Sequence, residues 1–80
     1  MKIQLLFFGI ATDLVGETSM NFKLAENTTV KALKDALITD YSALKNMGDF
    51  AIAVNEEYAE DDLVLNENDV VAIIPPVSGG

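Results

Sequence analysis

Apolar and polar positions change rhythm several times along this chain. Ile3, Leu5 and Phe7 fall on one side of an extended segment and Leu6 and Phe8 on the other, because side chains in a strand alternate between faces. Apolar residues on both sides predict a central strand over Lys2 to Phe8. Gly9 to Glu17 reads as a loop in which Leu14-Val15 anchors a short helical turn that Gly16 can end. Ser19 to Leu24 then alternates cleanly, with Met20, Phe22 and Leu24 inward and Asn21 and Lys23 outward, which predicts a half-buried strand.

From Thr29 the period lengthens. Val30, Leu33 and Leu37 recur at helical spacing while Lys31, Lys34 and Asp35 occupy the rest of the wheel, so a helix runs to about Thr39 or Asp40. Thr28 or Thr29 can cap its first amides, without the Glu or Gln of a capping box. After Gly48, Phe50 to Val54 reads as a strand and Asn55-Glu56-Glu57 as a turn. Leu63-Val64-Leu65 fits a short edge segment. Asp69 to Ile74 is a nearly continuous β-branched run suited to a strand covered on both faces, and Pro75-Pro76 stops it. The order strand, strand, helix, strand, strand indicates an α+β domain. If the first and last strands lie side by side at the centre, the mixed sheet packed on one main helix is a ubiquitin-like β-grasp, though the pattern alone does not choose that order over other α+β layouts. The expected organisation is one domain over residues 1–76 and a flexible tail over 77–80.

Composition removes most catalytic chemistry. The chain has 80 residues, no cysteine and no histidine, so it lacks disulfides, thiolate nucleophiles, imidazole bases and the usual zinc ligands. Thirteen acidic residues against five lysines leave a net charge of −8, which repels a nucleic-acid backbone and suits either simple solubility or a partner with a basic surface. Glu56, Glu57, Glu60, Asp61 and Asp62 concentrate part of that charge. They lack the glycine and spaced ligands of a calcium loop, so a solvated turn or a meeting place for a basic partner is expected there, and no metal. No apolar stretch approaches the ~18 residues of a membrane span, and no signal peptide is evident at the start of the sequence, which makes the cytoplasm the expected compartment.

The ending Ile74-Pro75-Pro76-Val77-Ser78-Gly79-Gly80 concentrates the remaining chemistry. Two prolines end the hydrogen-bonded ladder and launch an extended segment, and two glycines present bare backbone that a narrow channel can enclose. A free carboxylate is a poor electrophile. ATP can activate it as an acyl-adenylate, and a sulfur donor can then convert it to a thiocarboxylate, with the sulfur coming from outside because the chain has none to offer as a thiol. A frayed terminus also fits these residues, since glycine is common at chain ends.

The run Pro75-Pro76-Val77-Ser78-Gly79-Gly80 resembles the ending of molybdopterin synthase small subunits, in which threonine is commoner at the serine position. Lesser matches run along nearly the whole chain: Leu6-Phe7-Phe8, Leu14-Val15-Gly16, Thr29-Val30 with Leu33, Ala53-Val54-Asn55, and Asp69 with Val71-Ala72. The resemblance implies that Gly80 is the reacting group, adenylated by a ubiquitin-activating-type enzyme that consumes ATP and sulfurated by a persulfide protein. It implies further that Pro75 to Gly79 enter the large synthase subunit, which holds the catalytic residues and receives sulfur for precursor Z. No bound cofactor, nucleic acid or membrane is implied. The same resemblance carries an apolar docking patch, for which strand parity nominates Phe8 and Ile74, and a heterotetrameric assembly. A thiamin-type sulfur carrier, a ubiquitin-like protein modifier and a passive binding module share the layout and remain open.

Overall fold

The computed structural model describes residues 1–76. Its strands are β1 (Lys2–Phe7), β2 (Ser19–Lys23), β3 (Ala51–Val54), β4 (Glu57–Tyr58) and β5 (Val70–Ile74), with helices α1 (Ile10–Val15) and α2 (Val30–Asp40) and a 3₁₀ segment over Ser42–Met47. The sheet order is β2-β1-β5-β3-β4. β1 and β5 are parallel neighbours at the centre, the order their apolar runs allowed without choosing it, and every other pairing is antiparallel. Parallel neighbours need a long crossover, and α2 lies within it. The mixed sheet with its helix is the β-grasp arrangement.

One side of the sheet makes the core. Ile3, Leu5 and Phe7 of β1, Ile52 and Val54 of β3, and Val71 and Ile73 of β5 are buried with Val30, Leu33 and Leu37 of α2. The helix begins where the threonines suggest. Thr29 is the N-cap, its hydroxyl accepting from the Ala32 amide at 3.2 Å, while the Thr28 hydroxyl turns away and donates to the Ala25 carbonyl. The cap matters because the first amides of a helix have no partner within it.

Five sequence expectations change. Gly9 to Glu17 is more than a turn: it holds the six-residue helix α1, whose Ala11 is fully buried and whose end is capped by Gly16 at φ 86°. The 3₁₀ segment was not foreseen, and it buries Leu44 and Met47 beside α2. The polar stretch at Glu57 contains a strand, β4, which forms one edge of the sheet opposite β2. Leu63-Val64-Leu65 is not an edge strand; Val64 makes one isolated bridge to Thr29, and Leu65 is buried in the core. Strands β1 and β5 are also not covered on both faces. Their outward residues Leu6, Val70, Ala72 and Ile74 are only half-buried, because the described helices pack on the opposite face.

Candidate functional site

Strand alternation places Phe8 just past the end of β1, and the parallel register of Leu6 with Ala72 carries it beside Ile74. Phe8 is 49% exposed and therefore not part of the core. Antiparallel pairing extends the same face sideways, Ala72 opposite Ala53, Ile74 opposite Ala51, and Ala53 opposite Tyr58. The outcome is an open apolar surface of Leu6, Phe8, Ala51, Ala72, Ile74 and Tyr58 on the face without helices, with Ala53 buried beneath it. Sequence reasoning missed Tyr58, which is 77% exposed. Its signal was a lone aromatic side chain inside an acidic stretch.

This surface leads straight to the prolines. β5 ends at Ile74, and Pro75 and Pro76 follow, the first half-buried and the second exposed. Neither has an amide proton, so the ladder cannot continue through them. Val77, Ser78, Gly79 and Gly80 lie outside the described residues.

The other end of β5 is held by a polar clamp. Asp69, one of the matched residues, is buried, and its carboxylate accepts from the Asn66 amide at 2.8 Å and the Asn55 side-chain amide at 3.0 Å. The Asn55 side-chain oxygen Oδ1 in turn accepts from the Val70 amide at 3.0 Å. Asn55 lies in the two-residue turn between β3 and β4, so the clamp fixes that hairpin against the start of β5. All its buried side-chain atoms are satisfied, as burial requires.

Beside the hairpin runs a groove of about 410 Å³ lined by acidic Glu57, Glu60 and Asp62 and by apolar Tyr58, Leu63 and Val64. The acidic stretch of the sequence is thus one wall of a cleft. Among the described residues no cluster of acidic side chains is arranged to hold a metal ion, and no helix is long and apolar enough to cross a membrane.

A sheet of this order over one main helix, with its last strand ended by two prolines, defines a ubiquitin-like β-grasp protein. The model of the ThiS family matches residues 5–80. A molybdopterin synthase sulfur carrier subunit of Arabidopsis thaliana is 32% identical over 81 residues, covering 100% of this chain and 84% of the relative. The chain belongs to the ThiS family, in which it stands with the molybdopterin synthase sulfur carrier subunits. Among solved structures, SAMP1 from Haloferax volcanii superposes with a TM-score of 0.85 at 25% identity, covering 100% of both chains. A complex of subunits 1 and 2 of the molybdopterin-converting factor from Helicobacter pylori contains a chain of TM-score 0.69 and 27% identity, again covering 100% of both.

Proposed function

We propose that this protein is a sulfur carrier of molybdopterin synthesis whose reacting group is the Gly80 carboxylate. The observation that carries it is the extent of the family match, which continues through Pro75-Pro76 to Gly79-Gly80. The Gly80 carboxylate attacks the α-phosphorus of ATP on a ubiquitin-activating-type enzyme, releasing pyrophosphate and leaving an acyl-adenylate. The outer sulfur of a persulfide then attacks the carbonyl and AMP departs. A second thiol takes the donor's sulfur into a disulfide and frees the thiocarboxylate, a strong nucleophile beside an unhindered glycine. In the large synthase subunit this group gives its sulfur to precursor Z. The open face holding Phe8 and Ile74, to which the geometry adds Tyr58, is the docking surface, since an exposed apolar patch of this kind marks an interaction site. The complex of subunits 1 and 2 from Helicobacter pylori supports such a partner.

Intact mass before and after incubation with ATP, an adenylating enzyme and a persulfide donor tests the proposal. The expected result is a gain equal to one oxygen replaced by sulfur, absent when Gly80 is deleted. No gain in the folded protein would overturn it. The likeness to SAMP1 favours one second reading, a protein modifier whose activated Gly80 forms an isopeptide with a lysine. That reading requires higher-mass conjugates that disappear with Gly80.

A further inference from the structure

Three glycines among the described residues have positive φ, and they divide into two kinds. Gly16, with φ 86° and ψ 13°, is an ordinary left-handed helix cap. Gly9 (φ 54°, ψ −134°) and Gly48 (φ 89°, ψ −161°) adopt conformations that only glycine enters freely. These two face the proline pair. A Cβ at Gly9 would stand 3.3 Å from Pro75 Cγ and one at Gly48 would stand 3.8 Å from Pro76 Cγ, whereas a Cβ at Gly16 would meet nothing within 4 Å.

The two glycines belong to different connections, one between β1 and α1 and the other between the 3₁₀ segment and β3. Both connections are held. The amides of Ala11 and Thr12 donate to the carbonyls of Phe8 and Gly9 at 3.1 Å, and the Thr12 hydroxyl donates to the Phe7 carbonyl at 3.1 Å. Gly48 lies between buried Met47 and nearby buried Phe50. Beyond Ile74 the prolines have no amide with which to extend the ladder, so packing must orient them. Their fixed φ removes one of the two backbone rotations at each proline, so the packing of the rings largely sets the direction of departure at Pro76.

We propose that Gly9 and Gly48 form a two-sided seat for Pro75-Pro76 and are positioning residues that set the direction in which the chain leaves the body. The consequence for turnover rests on the sulfur-carrier function proposed above. Four further residues reach at most about 14 Å, so a tilt of about 15° at their base can move the carboxylate by up to about 4 Å, and a misplacement of about 1 Å can cost on the order of 100-fold in rate. The open apolar face is untouched by such a tilt, and docking survives it.

Steady-state thiocarboxylate formation, followed by intact mass, is measured for Gly9→Ala with Gly16→Ala as control. Both variants strain a positive-φ glycine, and only the first touches the prolines. Gly9→Ala is expected to lower kcat by about tenfold or more with KM within about threefold, while Gly16→Ala keeps both. Pro75→Ala leaves the loops unstrained and tests the seat even where Gly9→Ala fails to fold; it is expected to lower kcat with KM kept, and Gly9→Ala is expected to add little on top of it. Equal effects of Gly9→Ala and Gly16→Ala on kcat, independent multiplication of Gly9→Ala and Pro75→Ala, or an unchanged kcat in Pro75→Ala overturns the seat. Should the wild-type chain accept no sulfur, the sulfur-carrier function fails by itself. Residual dipolar couplings over Ile74 to Val77 then decide the seat: a change confined to Gly9→Ala supports it, and identical couplings in the wild type and that variant overturn it.

Discussion

Individual residues in this protein carry strain where the backbone must turn sharply. The hairpin between β3 and β4 has only Asn55 and Glu56 in its loop, and both take positive φ, 51° and 74°. Two-residue hairpins favour that backbone because its twist matches the strands, with Asn at the first position and Gly at the second. Asn55 fits, and its side chain also serves the clamp on Asp69. Glu56 fits poorly, since a Cβ in the left-handed region crowds the following carbonyl. Glu56→Gly is therefore expected to raise stability by about 0.5–1 kcal/mol, measured by urea unfolding with an unchanged m value. The matched residues Asn55 and Asp69, separated in sequence, have a physical reason for occurring together that periodicity could not supply. They are hydrogen-bonded to one another.

Among the elements, α2 was the most legible and β4 the least. The spacing of Val30, Leu33 and Leu37 is a helical stripe, and a capping hydroxyl stands immediately before it. Thr29→Ala should cost about 1 kcal/mol through the lost cap, seen as a fall of about 4–8 °C in Tm. Strand β4 has two residues, both exposed, and so offers no alternation to read. Helix α1 was hidden for a related reason. It spans six residues with only Ala11 buried, and its stability comes from packing beside the 3₁₀ segment. Short elements are made by their neighbours.

At the scale of the molecule, the sheet has a helix-packed face and an open one. Phe8 belongs to the open face and so is not a core residue, as the proposed docking role requires. Phe8→Asp is expected to leave the fold intact, with a cooperative melt close to that of the wild type. It should also weaken binding to a molybdopterin synthase large subunit by about 30-fold or more, the effect of removing an aromatic anchor from an interface. Titration calorimetry beside a thermal melt checks both halves, and a melted variant would return Phe8 to the core. The described lysine ion pairs do little to offset the net charge of −8; Lys31 with Asp35, for example, is an exposed pair of small energetic weight.

The amino-acid sequence by itself determined the first and last strands, the main helix with its cap, and the proline-glycine ending, because each is written in local spacing or residue chemistry. Only the tertiary structure decided which apolar face stays open, that Tyr58 joins Phe8 and Ile74 there, and that Gly9 and Gly48 meet at the prolines. Burial and close approach depend on what packs across a gap from residues distant in the chain. Local periodicity contains no term for that.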